Sequence, residues 1–477
     1  MTSRSVLPAF SPILSLLLWC IVTSMAAKAS NPVVAVSSPT NNSQVSAPVH
    51  YVASATSPEC QSGIAAIRIY IAPYVAAYTI QSNSLDTLLT LTPGTYNTLV
   101  QAWDNCGGVG KTFVNVTVAA VDLQPARFLY VADDANSRVW GFTVDPSTGV
   151  PSAIGQGSVA TNSSYRLGSD RGGYRLYVTN AAPTPYGAVF AYFVNRRNGY
   201  LYPVPGSPFL LNATPGAVAV HPSGEFVFVG TLFLQPSDGI QILRVNPDGS
   251  LALVNSIPIA TKSMPDSIVM DPWGKYLYVT SAGGSSIDGF AVDTVSGALT
   301  PLPGSPYTIS TPGCINPQTS GMTDLYGRFL YMSDEGASEI SGYAIEGNTG
   351  TLTELAGSPF PDDGGCPSGT ASLRGLTTEP TGRFLYALDG NPFFHISIYS
   401  INAGNGVLTH VKDTGPISNG FVYGKLRTDP SGKFLYAAGD ELIGFSINPV
   451  SGDLTVLPGS PFPIGVNVAA FDLAVTP

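Results

Sequence analysis

The residues of this sequence best suited to binding chemistry are charged side chains that recur at one place in a repeated unit. Arg166, Arg374 and Lys425 are the cations of this set, and Asp266 and Asp472 are its carboxylates. When the repeats are aligned on their glycine turns, all five fall within two adjacent positions of the repeat. Cations grouped in this way suit a carboxylate or a phosphate, so we predict a small anionic ligand. Solvated ion pairs with no ligand are the alternative interpretation.

The histidines add one candidate to this site. His395 follows two phenylalanines in a loop of the repeat array, and we predict that it faces the ligand. His50, His221 and His410 lie in an N-terminal segment, in a turn and after an outer strand, where structural roles are expected. There is no Gly-x-Ser-x-Gly elbow to supply a nucleophilic serine. The sequence therefore identifies no catalytic residue.

The cysteines and three pairs of adjacent acidic residues are the candidate metal ligands of the sequence. Apart from Cys20 in the N-terminal apolar run, the cysteines form an even set, which favours disulfides in an exported chain. The predicted pairs are Cys60–Cys106 and Cys314–Cys366, and free buried thiols are the alternative. The acidic pairs Asp133-Asp134, Asp334-Glu335 and Asp440-Glu441 lack EF-hand spacing, and we expect solvated carboxylates there. The sequence thus predicts neither a metal nor a cofactor.

The elements that must position these residues are strands of a repeat array. Seven segments share a Phe-Leu-Tyr-like pattern, and their aromatic anchors recur at intervals of about 50 residues. The anchors are Tyr130, Tyr177, Phe228, Tyr278, Tyr331, Tyr386 and Tyr436. Each repeat contains a strand, a turn such as Asp-Pro-x-Gly, the Phe-Leu-Tyr strand, a third strand and a Gly-x-Leu-Thr strand. Four strands per repeat match the size of a propeller blade.

The array therefore predicts a seven-bladed β-propeller over residues 120–477. Its last residues, Asp472 to Pro477, repeat the pattern of a first strand, and no further hairpin follows them. We predict that this strand completes the first blade, whose other strands begin near residue 127. Joining the two ends in this way removes an open sheet edge. Val121 to Pro125 is the alternative segment for the same place.

Residues 32–119 form a separate unit in the sequence. About seven short apolar alternations separated by turn residues indicate a β-sandwich. The segment Leu99–Asp104, followed by two glycines, resembles the penultimate strand of bacterial immunoglobulin-like (Ig-like) domains. The fold class predicted for the whole chain is all-β, with an Ig-like sandwich followed by a seven-bladed propeller.

The first 29 residues have the pattern of a signal peptide. Arg4 precedes the apolar run Ile13–Val22, and Ala27-Lys28-Ala29 matches a signal-peptidase site. An uncleaved membrane anchor is the alternative, but the run is short for a bilayer. We therefore predict a secreted, periplasmic or cell-surface protein without a transmembrane segment after signal removal.

The acidic net charge of the chain limits the kinds of partner that it can bind. The formal net charge is −10, only 11% of residues are charged, and the sequence has no Lys/Arg-rich run. Nucleic-acid binding through phosphates requires a basic surface, so we predict no nucleic-acid partner. A small anionic molecule, a glycan or a protein remains.

Short motifs in the array are typical of a known family. Tyr177-Val178-Thr179-Asn180 is the YVTN tetrapeptide of one class of β-propeller repeat, and Gly-Ser-Pro-Phe/Tyr tails follow at 206–209, 304–307, 357–360 and 459–462. Residues 127–477 thus resemble lactonase-type propellers, including one class of 6-phosphogluconolactonase. The resemblance implies a Pro-Arg-His motif on an inner strand in the enzymes. The corresponding segments here begin at Pro215, Pro265 and Leu373, and none contains the Arg-His pair.

Two functions follow from these observations. The first is a non-catalytic propeller that binds a small anionic ligand, a glycan or a protein at the mouth of its tunnel. The missing Arg-His pair and the export signal favour it. The alternative, implied by the family resemblance, is an extracytoplasmic lactone hydrolase whose cations polarise a lactone carbonyl.

Overall fold

The computed structural model describes most of the chain beyond residue 30. The described residues are 31–45, 49–72, 75–89, 91, 93–119, 124–180, 187–211, 213–232, 239–255, 259–261, 264–282, 286–309, 318–334, 338–361, 373–390, 394–417, 425–465 and 468–477. The predicted signal peptide lies outside them. Every regular element in these ranges is a β-strand, as the composition predicts, and none is a helix able to cross a membrane.

The N-terminal strands form two sheets. Their bounds are β1 (Val33–Ser38), β2 (Ser43–Val45), β3 (Val49–Thr56), β4 (Ile64–Ala72), β5 (Val75–Ile80), β6 (Ser84–Leu89), β7 (Gly94–Asp104) and β8 (Val109–Val118). One sheet has the order β1-β3-β6, and the other has the order β2-β8-β7-β4-β5. The predicted Cys60–Cys106 disulfide is present beside them. Cys314 and Cys366 lie outside the described residues.

The chain divides into two compact units. The first is built mainly from Val52–Leu85 and Asn97–Val114, and the second contains Asn115–Pro477.

Seven sheets, blades I to VII, follow one another in the second unit. Blade I contains β9 (Phe128–Asp133), β10 (Arg138–Val144), β11 (Pro151–Ala160) and β40 (Ala470–Thr476). Blade II contains β12 (Arg166–Ser169), β13 (Arg175–Asn180), β14 (Ala188–Val194), β15 (Leu201–Pro203) and β16 (Phe209–Leu210). Blade III contains β17 (Thr214–Val220), β18 (Phe226–Leu232), β19 (Gly239–Val245), β20 (Leu251–Leu253) and β21 (Ile259–Ala260).

The remaining four blades repeat this plan. Blade IV contains β22 (Met264–Met270), β23 (Tyr276–Ala282), β24 (Ser286–Val292), β25 (Leu299–Pro301) and β26 (Tyr307–Thr308). Blade V contains β27 (Gln318–Thr323), β28 (Phe329–Asp334), β29 (Glu339–Ile345), β30 (Leu352–Glu354) and β31 (Phe360–Pro361). Blade VI contains β32 (Leu373–Thr378), β33 (Phe384–Asp389), β34 (His395–Ile401) and β35 (Leu408–Asp413). Blade VII contains β36 (Leu426–Thr428), β37 (Phe434–Ala438), β38 (Leu442–Ile447) and β39 (Leu454–Val456).

The inner strands close into a ring. Each contacts the inner strands of the two neighbouring blades, in the order β12, β17, β22, β27, β32, β36, β40 and back to β12. The C-terminal strand β40 pairs antiparallel with β9, with Ala474 opposite Tyr130. The prediction that the chain end completes blade I is therefore confirmed, and the alternative segment at 121–125 is not needed.

The core lies in the joins between blades. Each of the seven joins has its own cluster of buried apolar side chains drawn from two successive blades. All seven predicted aromatic anchors are fully buried in these clusters. The Tyr436 hydroxyl donates a hydrogen bond of 2.7 Å to the Gly149 carbonyl of the next blade, and Tyr130, Tyr278, Tyr331 and Tyr386 donate equivalent bonds. Packing and hydrogen bonding thus fix one blade to the next.

Candidate functional site

Pairing with the anchors sets the register of the inner strands. Arg427 lies opposite Tyr436, and the residues opposite the other anchors are Ala474, Gly168, Ala219, Val269, Met322 and Thr377. Two residues earlier on each inner strand is a set that we call the rim row: Asp472, Arg166, Ala217, Ser267, Ser320, Gly375 and Lys425. Asp266 and Arg374 each lie one residue before the rim row. All the predicted site residues except His395 therefore lie at the start of the inner strands.

Asp472 is the buried centre of this arrangement. The residue is 3% exposed, and its carboxylate accepts a 3.1 Å hydrogen bond from the backbone N–H of Leu167 in blade II. The other oxygen accepts the backbone N–H of Leu473 at 2.9 Å and lies 3.2 Å from the Arg427 guanidinium of blade VII. Asp472 thus links blade I to both neighbouring blades.

Ser320 has the equivalent role in blade V. Its hydroxyl oxygen accepts a 3.4 Å hydrogen bond from the backbone N–H of Leu376 in the next blade. This repetition shows that a rim-row side chain acting as an inter-blade acceptor is a device of the scaffold. Asp472 is therefore a structural residue, whatever else it binds.

Arg427 is the charged residue that sequence reasoning missed. It forms an ion pair of 3.2 Å with Asp472, and about a third of its side chain (36%) remains exposed. It is the single charged side chain among the seven residues opposite the anchors. Aligning the repeats at the position opposite the anchor reveals Arg427. The alignment at the strand starts reveals only Lys425, which lies two residues earlier.

Lys425 and Arg374 meet at the join of blades VI and VII. Lys425 is only 7% exposed, and its Nζ donates a 3.1 Å hydrogen bond to the Arg374 carbonyl. Arg374 itself is half-buried. The hydrogen bond holds a buried ammonium group beside the first residues of β32.

Arg166 lies on the other side of blade I. Its Nη1 donates to the carbonyl of Phe471 at 3.4 Å, and its guanidinium carbon lies 4.3 Å from the centroid of the Tyr165 ring. That ring lies 5.6 Å from the Phe471 ring. The Tyr165 ring orients the guanidinium by a cation–π contact.

We call the four cations near the starts of these inner strands the basic arc: Arg374, Lys425, Arg427 and Arg166. They come from blades VI, VII and II, and Asp472 of blade I contacts blades II and VII. Guanidinium groups bind carboxylates and phosphates through paired hydrogen bonds, and a buried ammonium adds a fixed positive charge. The arrangement can therefore hold a small anion.

Two predicted residues lie apart from the arc. Asp266 is on β22 of blade IV, on the opposite part of the ring, and the structure describes only its backbone position. His395 is the first residue of β34, opposite Asp389 on the strand next to the inner one. His395 and the basic arc are thus on different strands of the blade.

The remaining histidines have protein partners. His221 is buried, its Nε2 lies 3.0 Å from the Gly274 carbonyl, and burial lowers the pKa of its ring. His50 and His410 contact carboxylates of Asp86 and Asp413 at 2.6 and 2.8 Å. These contacts are structural, as the sequence led us to expect.

The expectation of solvated loop carboxylates is wrong at two positions. Asp133 and Asp334 are buried. Asp133 accepts a 2.9 Å hydrogen bond from the Trp140 indole, a 2.8 Å bond from the Asn136 amide and a bond from the Ala469 backbone. Its carboxylate therefore fastens the end of β9 to the closing strand, a role that the sequence does not reveal.

One group in the described part of the chain has metal-ligand spacing. It consists of Cys60, Asp104 and Cys106. Both sulfurs are bonded to each other in the disulfide, so they cannot act as thiolate ligands. The carboxylate of Asp104 instead accepts hydrogen bonds from Ser57 and from the Gly108 and Cys106 backbones.

The closed ring of seven sheets is a β-propeller, and part of it matches the model of one propeller family. The sequence model of the family described as "Lactonase, 7-bladed beta-propeller" matches residues 201–317. No curated protein sequence matches the chain.

Solved structures agree on the fold. The periplasmic gluconolactonase of Pseudomonas aeruginosa is 20% identical with a TM-score of 0.60, over 73% of this chain and 99% of that one. A putative 6-phosphogluconolactonase from Bacteroides fragilis is 19% identical with a TM-score of 0.59, over 75% of this chain and all of that one (100%). A putative 6-phosphogluconolactonase from Bacteroides uniformis is 17% identical with a TM-score of 0.58, over 74% of this chain and all of that one (100%). At these identities the likeness shows the propeller fold.

Proposed function

We propose that the propeller binds a small anionic ligand through the basic arc, and that sugar acids and their lactones are its ligand class. The observation that carries this proposal is the placement of Arg374, Lys425, Arg427 and Arg166 near the starts of the inner strands of blades VI, VII and II, on either side of Asp472 in blade I. Asp472 forms an ion pair with one of these cations, Arg427. On a chain of net charge −10, such a cluster attracts anions to one place.

The ligand class rests on chemistry and on the names of similar proteins. A sugar acid offers a carboxylate for the guanidinium groups and hydroxyls for the neighbouring backbone groups. The similar structures from Pseudomonas and Bacteroides carry the names gluconolactonase and putative 6-phosphogluconolactonase. Gluconate-type compounds are therefore the first to test.

Lactone hydrolysis is the second candidate, and the match to the lactonase family favours it. In that reaction water adds to the lactone carbonyl, the ring C–O bond breaks, and the product is a hydroxy acid with a released proton. The basic arc would stabilise the negative charge that develops on the carbonyl oxygen. The inner strands lack the Arg-His pair that the resemblance implies for the enzymes, so we place binding first.

Export and an Ig-like N-terminal domain belong to the same proposal. The signal-like pattern at residues 1–29 and the Cys60–Cys106 disulfide support an oxidising compartment. A similar structure is also named as periplasmic. Two β-sheets in the N-terminal segment support an Ig-like sandwich, which would act as a spacer or adhesive unit.

The test uses glucono-δ-lactone, D-gluconate and D-galacturonate with the purified protein. Calorimetry measures binding, and proton release measures lactone opening. We expect Arg374→Ala and Arg427→Gln to weaken binding at least tenfold. The control is Arg244→Ala, which removes an arginine from the third strand of blade III.

The outcomes separate the two candidates. Binding without turnover above buffer supports the binding protein. Turnover that is lost in Arg374→Ala makes the protein a lactonase with its site at the arc. Binding that is unchanged in both arc variants would refute the proposal.

A further inference from the structure

A second candidate site lies on one face of the five-stranded N-terminal sheet. Along β4, β7 and β8 the side chains alternate, so that Ile67, Val100 and Val114 are buried on one face. The opposite face carries Tyr70 and Phe113, and the Phe113 side chain is 60% exposed. Exposed apolar groups that lie together on one surface, with polar groups beside them, mark ligand-binding grooves or interaction sites.

These rings border a groove. Its volume is about 580 Å³, and its lining includes Tyr70, Asn97, Leu99, Gln101, Lys111 and Phe113. The middle strand β7 supplies Leu99 and Gln101, and the rings stand on the two strands beside it, β4 and β8. Tyr70 lies directly opposite Leu99 in the strand pairing. A floor of Asn97, Leu99 and Gln101 therefore runs along β7 between the Tyr70 and Phe113 rings.

The face continues beyond the groove through Arg68. Its guanidinium carbon lies 5.8 Å from the Tyr70 ring centroid and 5.4 Å from the Trp103 ring centroid. Its Nε donates a 2.8 Å hydrogen bond to the Thr79 hydroxyl on β5. These contacts hold Arg68, Tyr70 and Trp103 in fixed positions, which reduces the entropy lost when a ligand binds.

We propose that this face binds an acidic oligosaccharide, one that contains uronic acid residues. Flat rings match the apolar C–H faces of pyranose sugars, and the amides of Asn97 and Gln101 can donate to and accept from ring hydroxyls. Among the described residues that line the groove there is a cation, Lys111, and no carboxylate. On a chain of net charge −10, this local excess of positive charge favours an acidic sugar over a neutral one.

A glycan fits this surface better than a second protein does. The groove is about 580 Å³ and mixes rings with amides, whereas protein interfaces bury larger and more continuous areas. Its size also corresponds to a ligand of a few sugar residues. This site is distinct from the basic arc and does not depend on the function proposed for the propeller.

The test titrates the full-length protein with hexagalacturonate and with cellohexaose, a neutral hexasaccharide, by calorimetry. We expect hexagalacturonate to bind, and Phe113→Ala or Tyr70→Ala to lower its affinity at least tenfold. Lys111→Gln should lower the affinity for hexagalacturonate severalfold and leave any affinity for cellohexaose unchanged. Tyr202→Ala removes an exposed ring of blade II and should change neither.

Three results would overturn the proposal. The first is no binding of hexagalacturonate to the wild-type protein. The second is binding that survives Phe113→Ala and Tyr70→Ala but is lost in Arg374→Ala, which would place the sugar at the basic arc. The third is equal affinity for both hexasaccharides, unaffected by Lys111→Gln, which would reject the acidic class. Circular dichroism of each variant shows whether the fold is retained.

Discussion

The joins between blades and the rim row of the inner strands come from the same repeat, yet they are built differently. At the joins, five tyrosine hydroxyls donate to glycine carbonyls of the next blade in the same way. In the rim row, the seven residues include an acid, two bases, two serines, an alanine and a glycine. Packing requires the same shape in every blade, whereas recognition requires each blade to contribute a different group. Within a repeat protein, variation at an aligned position therefore points to the site.

The largest expected effect comes from breaking a join at its glycine. Gly452 has a φ of +76°, and a Cβ there would lie 2.6 Å from the ring of Phe384. Strain and overpacking together predict that Gly452→Ala lowers the free energy of unfolding by about 4 kcal/mol. Urea denaturation measures it.

The matched control for that variant is Gly157→Ala. Gly157 has a φ of +72° with no atom within 4 Å of a built Cβ, so only the backbone strain applies. We expect a loss of about 1.5 kcal/mol. Equal losses in the two variants would show that the ring contact at the join contributes nothing.

The next effect comes from the rim. Asp472→Ala removes three hydrogen-bond acceptor contacts and leaves Arg427 without its carboxylate. We expect a loss of about 3 kcal/mol, against about 1 kcal/mol for Ser320→Ala at the equivalent position. Thermal unfolding of both variants checks the difference. If both lost the same amount, the ion pair would add nothing to the shared inter-blade hydrogen bond.

A pH effect is expected from a buried carboxylate in one of the turns. Burial raises the pKa of Asp271, in the turn between β22 and β23, to about 6, although N–H groups of Tyr276 and Trp273 offset part of the cost. Because the folded pKa lies above the unfolded value, its contribution to stability is full below about pH 4 and is lost as pH rises towards 6.

Denaturation of the wild type and Asp271→Asn between pH 4 and 7 tests this effect. The stability of the wild type relative to the variant should rise by about 2 kcal/mol from pH 7 to pH 4. A difference that stays constant with pH would contradict the raised pKa of Asp271.

The smallest effect compares two anchors. The Tyr436 hydroxyl donates to Gly149, whereas the buried Tyr177 hydroxyl has no hydrogen-bond partner in the described residues. Tyr436→Phe should therefore cost about 1 kcal/mol, and Tyr177→Phe should change stability by less than about 0.5 kcal/mol. Similar values for both, measured by urea denaturation, would show that the anchors stabilise the joins through packing alone.

Much of this arrangement was predictable because it is periodic. The anchors, the closing strand β40 and the register that brings Arg166, Arg374, Lys425 and Asp472 to the start of the inner strands all follow from aligning the repeats. The Cys60–Cys106 pair follows from cysteine arithmetic within one unit. The role of Asp133 did not follow, because its partners Trp140 and Ala469 meet it only after the ring has closed.

The sequence by itself determined the four main strands of each blade, their order and the strand that closes the ring, since each blade is specified by local apolar pattern and turn residues. It did not reveal the short fifth strand of blades II to V. The tertiary structure decided which charged groups meet. Arg427 and Asp472 are 45 residues apart and join blades VII and I. Leu167 contacts the same carboxylate from 305 residues away. Such contacts depend on how neighbouring blades are rotated and packed, and no local pattern encodes that geometry.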